Sequence, residues 1–466
     1  MNCANTQKNT PKHMAHCIGG AGLGGLGEHH GQTLTDGHHK GGLVVLFPNK
    51  VQELIHADIG ARYSSLDNED FLRMNALVRE HQPLDFSPSL PDFNPTASVL
   101  QAIQSVGRNE HLYGAHPTPS DCRGEPRLRA ELSQLFSPLM RRTIDADNEI
   151  VVTNGAIQAL YLAAKSFLKP GDEVILFEPF YHEFHAMLHV IQASPVAVPL
   201  RTSDGQTARQ SNDLTYDRQQ LVAAYTNRTK MFYLNNPTGK TFTEEELLFI
   251  GQLCEKHDVI ILADDAYQFH NYGVQPHIRI ATLPGMWKRT LTVGSGGKAF
   301  YLNSWRLGWL IGLEELLRSI RVRLYYSIQS VPRVGQLVLR AIIETETLRL
   351  NTNDSYFSRC PTEMLRKRDR FIAAFDGTGV DVIKPNAGYK LWTNPGQNYY
   401  SKQHKHLAQY VLSPPHFYQA EVLEQNKHIL KQMGKFIFGA GLGGLGEYHG
   451  QTLTNRHHKP DCGVNN

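Results

Sequence analysis

The sequence lacks the features that mark several large classes of protein. Its six cysteines lie far apart among 466 residues and form no Cys-x-x-Cys pair, which favours reduced thiols over a disulfide framework. No apolar run approaches the ~18–20 residues that cross a membrane, and no secretory signal is evident. The net charge of +3 does not indicate a nucleic-acid-binding surface. We therefore expect a protein of the cytoplasm, with the mitochondrion as an alternative, and with neither nucleic-acid nor membrane partners.

The sequence GAGLGGLG occurs twice, but the secondary structure that surrounds a dinucleotide-binding site is missing at both copies. Residues 20–40 and 439–459 agree at all but three positions, and both contain Gly-x-Gly-x-x-Gly. Neither copy has the strand–helix–strand surroundings that a dinucleotide site requires. We interpret the copies as a duplicated, disordered Gly/His-rich appendage. No nearby cysteine or carboxylate completes a ligand set around their paired histidines, so we predict no metal site.

Short apolar segments alternate with helical patterns in the middle of the chain. A helix is predicted over 156–168 with Ile157, Leu160, Tyr161 and Ala164 on its apolar face, and a capping box at Thr243 opens another helix. This alternation predicts an α/β fold with a mostly parallel sheet. The predicted strands are Glu149–Thr153, Glu173–Phe177, Lys230–Leu234, Val259–Ala263 and Thr290–Gly294.

The residues that follow these strands form the candidate site, because ligands bind beyond the carboxyl ends of the strands in such sheets. Each segment alone is typical of an ordinary turn or helix cap, and the functional hypothesis depends on all five occurring together. In chain order the segments are Asn154–Ala156, Glu178–Tyr181, Asn235–Gly239, Asp264–Tyr267 and Ser295–Lys298.

Five segments of the chain resemble those of a known family. They are SLPDFNP, NGAIQALYLAAKSFLKPGDEVILFEPFYHEF, NNPTGKTFTEEEL, ADDAYQF and TLTVGSGGKAFYLNSWRLGW. Over about residues 67–395 the chain resembles the class I/II pyridoxal-phosphate-dependent aminotransferases of fold type I. It is most similar to the group of kynurenine aminotransferases and cysteine-S-conjugate β-lyases. The resemblance implies a large domain with a mostly parallel central sheet, a smaller and here truncated α+β domain, pyridoxal 5′-phosphate as cofactor, and a homodimer.

The resemblance also implies the roles of single residues. Lys298 would form a Schiff base with the cofactor aldehyde and move the proton during amino transfer. Asp264 would pair with the pyridinium nitrogen, while Asn236 and Tyr267 would hydrogen-bond the 3′-oxygen and Tyr181 would stack on the ring. Lys298, Asp264 and Tyr267 are therefore the candidate catalytic residues.

The cofactor phosphate is expected at the start of the first predicted helix. Gly155, Ala156 and Ile157 would present backbone N–H groups there, and Ser295 and Arg306 would complete the phosphate site. In the family a tyrosine of the neighbouring subunit also reaches the phosphate. Tyr113 is the candidate for that contact, although the link after it is longer than usual.

Three departures from the family pattern concern the substrate. Ser89 stands where the family has glycine close to the substrate carboxylate, and the segment before Asn236 is shorter than usual. Ser89 and Asn236 are the candidate substrate-binding residues. After Trp392 the arginine that binds the substrate α-carboxylate is not recognisable, which removes a strong charge-assisted contact.

The motifs divide the chain into five parts. Residues 1–66 form an N-terminal extension with the first repeat, and residues 67–95 form an N-terminal arm. Residues 96–315 form the large cofactor-binding domain and 316–395 part of the small domain. Residues 396–466 form a divergent tail with the second repeat.

Two functions follow from these observations, and the sequence leaves both open. The first is an aminotransferase that moves the amino group of kynurenine, glutamine, or an aromatic or sulfur amino acid to a 2-oxo acid, with or without β-lyase activity on cysteine conjugates. The alternative is a cofactor-binding but catalytically impaired relative that acts as a scaffold or partner subunit. An unrelated binding protein with a chance set of motifs is a third and weaker interpretation.

Both Gly/His-rich repeats are predicted to be dispensable for folding. They lack apolar periodicity and cannot bury enough surface to offset the entropy of ordering the chain. A chain of residues 41–438 should therefore show the same thermal unfolding midpoint and the same cofactor affinity as the full-length protein. Loss of folding in the shortened chain would show that the repeats pack on the core.

Overall fold

The computed structural model describes ten stretches of the chain, all within the unit Asp58–Asn466. They are residues 97–108, 121–203, 205, 208–273, 277–350, 352–373, 375–376, 381–388, 390–394 and 410–412. The N-terminal arm, both repeats, Ser89 and Tyr113 lie outside these residues, and so do the predicted boundaries at 66 and 95.

An eight-stranded mixed sheet forms the centre of the structure. Its strands are β1 (Ile150–Thr153), β2 (Glu173–Glu178), β3 (Ser194–Thr202), β4 (Leu214–Tyr216), β5 (Thr229–Asn235), β6 (Ile260–Asp264), β7 (Thr290–Ser295) and β8 (Gly308–Gly312). The spatial order is β1-β8-β7-β6-β5-β2-β3-β4. Pairs β7/β6, β6/β5, β5/β2 and β2/β3 are parallel, while β8 and the edge strand β4 run antiparallel to their neighbours. The predicted α/β fold is thus confirmed.

Helices cover the sheet and bury several of its strands along their whole length. Every residue of β1, β7 and β8 is buried, as expected of strands covered on both faces. The described helices are α1 (Ala97–Gly107), α2 (Pro126–Leu139), α3 (Gly155–Phe167), α4 (His182–Val190), α5 (Arg218–Ala223), α6 (Glu244–Lys256), α7 (Gly296–Ala299), α8 (Glu314–Ile328), α9 (Arg333–Leu348) and α10 (Tyr356–Ala373). None of the helices in the described stretches is both long and apolar enough to span a bilayer.

The predicted capping box is present at the start of α6. The Thr243 side chain accepts a hydrogen bond from the backbone N–H of Glu246 at 3.2 Å, and the Glu246 carboxylate accepts one from the N–H of Thr243 at 2.8 Å. The pair satisfies two backbone donors that would otherwise lack partners in the first turn.

The predicted apolar face of α3 is wrong in part. Leu160 and Ala164 are buried as expected, but Ile157 is 36% and Tyr161 37% exposed. The face that packs on β7 and β8 is lined by small residues such as Ala159 and Ala163, which bring the helix close to the sheet. Ile157 and Tyr161, four residues apart, form a stripe on a different side of the helix. The prediction was wrong because Ile157 and Tyr161 are more hydrophobic than the small alanines that make the contact with the sheet.

A second, antiparallel sheet contains β9 (Asp381–Ile383), β10 (Leu391–Asn394) and β11 (Tyr410–Leu412) in the order β11-β10-β9. The segment between β9 and β10 is hydrogen-bonded to loops of the large sheet. Asn386 N and Ala387 N donate to the carbonyl of Gly239, and Gly388 N donates to the carbonyl of His270 at 2.8 Å. This segment therefore adjoins the loops that follow β5 and β6, where the candidate site lies.

Candidate active site

Lys298 lies just beyond the carboxyl end of β7, as the sequence predicts. Ser295, the last residue of β7, caps the short helix α7 by accepting a hydrogen bond from the Lys298 N–H at 3.2 Å. The Lys298 ammonium lies 5.8 Å from the centre of the Tyr267 ring. Two strand ends, those of β6 and β7, thus bring a lysine and a tyrosine into one pocket.

The environment of Lys298 disfavours its charged form. Burial lowers its pKa to about 8, and the positive charges of Lys390 and Arg306 act in the same direction, while Glu183 and Asp264 oppose them. A lysine amine with such a pKa is partly neutral near physiological pH and can act as a nucleophile or a base.

Asp264 is the acid that belongs to this pocket. Its carboxylate accepts hydrogen bonds from the Tyr233 hydroxyl at 2.7 Å and from the Ala266 N–H at 3.2 Å. Burial raises the pKa of Asp264, while these hydrogen bonds and the charge of Lys390 act in the opposite direction. A buried carboxylate of this kind is suited to hold a positively charged ring nitrogen.

Asp265 serves a different part of the structure. Its carboxylate lies 3.3 Å from Nε2 of His277, and both side chains are buried. Its backbone N–H donates to the carbonyl of Val293 on β7. The two neighbouring acids therefore have separate surroundings, as alternation at a strand end requires.

A cradle for an anion lies at the start of α3. Gly155 has a φ of +81°, and a Cβ there would lie 3.1 Å from Nη2 of Arg306. The N-cap residue Asn154 makes no side-chain capping hydrogen bond. The first backbone N–H groups of α3, together with the guanidinium of Arg306, thus provide positive potential for a phosphate.

Close packing fixes the position of this cradle. A Cβ on Gly308, the first residue of β8, would lie 2.6 Å from the backbone N of Ala156. Only a residue without a side chain lets β8 approach the first turn of α3 so closely. The residues present thus fit a phosphate-bearing aldehyde cofactor: a lysine amine, a buried acid and a phosphate cradle face one pocket.

Tyr181 lies close to Lys390, and the backbone N–H of Asn236 donates to the carbonyl of Asp264 at 3.1 Å. Tyr181 follows β2 at the start of α4, and the Lys390 ammonium lies 4.9 Å from its ring centre. The Asn236 amide is buried, donating to the carbonyl of Ile278 at 3.1 Å and accepting from the N–H of Phe242. The side-chain amide has a second N–H, which can donate to a ligand. Ser89 and Tyr113 lie outside the described residues, so their roles stay predictions.

Sequence reasoning missed three residues of the pocket: Tyr233, Glu183 and Lys390. Tyr233 lies on β5, the strand next to β6, and the strand order of the sheet could have indicated its contact with Asp264. Glu183 comes two residues after Tyr181. Lys390 directly precedes β10, and no local pattern in the sequence indicated that β10 borders this pocket.

Comparison with known proteins agrees with this geometry. The model of the family "Aminotransferase class I and II" matches residues 83–434. The chain belongs to the aminotransferase class I and II family. The match extends beyond residue 395, where the motifs end. Enzymes of this family use pyridoxal 5′-phosphate, which confirms the predicted cofactor.

Among curated proteins, human kynurenine–oxoglutarate transaminase 3 is 32% identical over 336 residues, which cover 70% of this chain and 72% of that protein. Human kynurenine–oxoglutarate transaminase 1 is 32% identical over 338 residues, or 72% of this chain and 79% of that protein. This member of the aminotransferase family is thus similar to kynurenine aminotransferases.

Solved structures share its fold. Bna3p from Saccharomyces cerevisiae gives a TM-score of 0.64 at 25% identity, covering 84% of this chain and 89% of that one. N-Succinyldiaminopimelate aminotransferase from Mycobacterium tuberculosis gives 0.68 at 23% identity, covering 80% and 99%. The predicted fold type I is therefore confirmed.

The different surroundings of the two acids predict different effects of removing their charge. Asp264→Asn should lower the rate of amino transfer by about 10²–10³-fold, because a buried charge next to the reacting group is lost. Asp265→Asn should chiefly lower the thermal unfolding midpoint, because it weakens the contact with His277. Equal losses of rate in the two variants, measured at saturating cofactor, would contradict the assignment.

The lowered pKa of Lys298 predicts the pH dependence of cofactor capture. Only the neutral amine attacks an aldehyde, so capture by the apoprotein should accelerate as pH rises through the folded pKa of about 8 and level off above it. The rate is measured from the growth of visible absorbance in stopped-flow mixing. A rate that keeps rising through about pH 10, as for an ordinary lysine, would show that the pocket does not lower the pKa of Lys298.

Proposed function

We propose that this protein is a pyridoxal-phosphate-dependent transaminase that moves the amino group of an amino acid to a 2-oxo acid through Lys298. Kynurenine, glutamine, and aromatic or sulfur amino acids are the proposed donors, and cysteine-S-conjugate β-lyase activity is a proposed side reaction. The observation that carries the proposal is the Lys298 amine, whose pKa is lowered to about 8 in a pocket that also contains Asp264 and the Arg306 cradle.

Each pocket residue has a task in such a reaction. When bound, the cofactor supplies an aldehyde that condenses with amines and a ring that takes up an electron pair. Lys298 would hold that aldehyde, and its amine would serve to move a proton at the substrate Cα. Asp264 would keep the proton on the ring nitrogen, and the Tyr233 hydroxyl donates a hydrogen bond that holds the Asp264 carboxylate in place at 2.7 Å. Arg306 and the first turn of α3 bind the phosphate.

The relatives support the proposed substrates. The two human proteins named above carry kynurenine and oxoglutarate in their names and match this chain over more than 70% of their own length. We therefore propose kynurenine as the first donor to test and 2-oxoglutarate as the first acceptor.

A homodimer is proposed as the working form. Several apolar side chains of α8 are exposed, with Tyr326 at 82%, Val322 at 54% and Tyr325 at 47%. Exposed apolar residues grouped on one helix are typical of a surface that a partner covers.

The second candidate function is that of a cofactor-binding but impaired relative that acts as a scaffold or partner subunit. The sequence favours it because the family's carboxylate-binding arginine is not recognisable after Trp392. Loss of that contact would misplace the substrate relative to Lys298, and a misplacement of about 1 Å can cost around a hundredfold in rate.

A half-reaction screen tests the two functions. Full-length protein loaded with pyridoxal 5′-phosphate is mixed with kynurenine, glutamine, methionine or phenylalanine, and the visible absorbance of the lysine-bound cofactor is followed. We expect absorbance loss with at least one donor, recovery on adding 2-oxoglutarate, and a KM at or above about 1 mM, since the family's carboxylate-binding arginine is not recognisable in the sequence.

Lys298→Ala is the control, because it removes the amine that produces the signal and should give no borohydride-reducible adduct. A wild-type protein that binds cofactor but reacts with none of the donors would favour the scaffold function. Lys240 is a second buried lysine and pairs with Glu246 at 3.1 Å. Reducible cofactor found on Lys240 instead of Lys298 would show that the pocket is misassigned.

A further inference from the structure

A second lysine, Lys390, lies in the same pocket as Lys298. Its ammonium lies 4.9 Å from the centre of the Tyr181 ring, a favourable cation–π distance. Tyr181 is the residue predicted to stack on the cofactor. Any ligand that packs against Tyr181 therefore lies close to this ammonium.

The backbone around Lys390 is held against the pocket at several points. Asn386 and Ala387 donate hydrogen bonds to the carbonyl of Gly239, and a Cβ on Gly388 would lie 3.7 Å from the Tyr267 ring. The loops that carry the candidate catalytic residues thus also hold the backbone next to Lys390 in position.

The charge of Lys390 has no matched anion among the described residues. Within that part of the chain no carboxylate comes within 4 Å of its Nζ, although Glu183 and Asp264 attract it from farther away. Burial lowers the pKa of Lys390, so enclosing this ammonium costs free energy. A partly buried cation without an ion pair is expected where a ligand brings the missing negative charge.

The proposed reaction supplies such a charge, because every amino acid and every 2-oxo acid carries an α-carboxylate. We infer that Lys390 binds the α-carboxylate of the amino-acid and 2-oxo-acid substrates. This inference rests on the proposed function. In this arrangement the substrate lies between two lysines: Lys390 holds its carboxylate and Lys298 acts at its Cα.

Paired probes test this role without relying on turnover. The first probe is 3-phenylpropionate, a carboxylate without an amine, titrated calorimetrically into the cofactor-loaded protein. Lys390→Met removes the charge at similar length and should weaken binding roughly 10- to 100-fold, as for loss of one charge-assisted hydrogen bond. Lys390→Arg should restore most of the affinity.

A matched control removes a lysine from the same stretch of chain outside the pocket. Lys384 is 48% exposed and pairs with Asp369 at 3.4 Å, so Lys384→Met should leave 3-phenylpropionate binding unchanged. Visible absorbance of each variant with bound cofactor checks that the pocket has formed.

The second probe separates carboxylate binding from other roles of Lys390. Phenethylamine has the amine of phenylalanine but no carboxylate, so Lys390→Met should impair the absorbance change with phenylalanine and leave that with phenethylamine unaltered. Equal impairment with both compounds would show that Lys390 acts on the cofactor or the fold, and would overturn the inference. Impairment confined to glutamate, which has a second carboxylate, would also overturn it.

The two hypotheses fail in different ways. Binding of 3-phenylpropionate that depends on Lys390, in a protein that reacts with no amino acid, would support the carboxylate site and contradict the proposed function. Normal amino transfer in Lys390→Met, with unchanged 3-phenylpropionate binding, would leave the proposed function standing and place the carboxylate elsewhere.

Discussion

The pocket depends on one constraint: three cationic side chains lie close to two carboxylates. Lys298, Lys390 and Arg306 supply the positive charges, and Asp264 and Glu183 the negative ones. Removing a charge from water costs several kcal/mol unless partners compensate. Burial lowers the pKa of Lys298, and the charges of Lys390 and Arg306 act in the same direction. The surplus of positive charge also makes the pocket attractive to a phosphate and a carboxylate.

The parallel sheet makes this concentration of charge feasible. Neighbouring parallel strands end at the same edge, so β5, β6 and β7 deliver Asn236, Asp264 and Lys298 to adjacent positions. Two glycines, Gly294 and Gly308, allow the close backbone packing that fixes these positions. A Cβ on Gly294 would meet the indole of Trp309, and a Cβ on Gly308 would meet the first turn of α3. Tight backbone packing below the pocket therefore positions the phosphate cradle relative to the lysine.

The sequence predicted the parts of the site that are local to one strand end. Short apolar runs predicted the strands that begin at Glu173 and Thr290, and the residues after such runs predicted where Lys298 and Asp264 lie. The capping box at Thr243 was also predicted from the local sequence. The helix face around Ile157 was misjudged because small alanines, which carry little hydrophobic signal, make the close contact. The hydrogen bond between Tyr233 and Asp264 joins the neighbouring strands β5 and β6. Predicting it requires the spatial order of the strands, which the local sequence pattern does not contain.

Lys390 shows why the substrate side was harder to predict than the cofactor side. The cofactor residues follow strands of one sheet, whereas Lys390 reaches the pocket because Asn386–Gly388 hydrogen-bonds to two loops more than a hundred residues away in the chain. A lysine also differs physically from the arginine that the motifs lead one to expect. Its ammonium is a flexible point charge and cannot form the paired hydrogen bonds with which a guanidinium fixes a carboxylate plane. A substrate held by lysine is attracted by charge but weakly oriented by it. The orientation that proton transfer at Cα requires must then come from contacts to the rest of the substrate, and side-chain fit should dominate the choice of amino acid in this pocket.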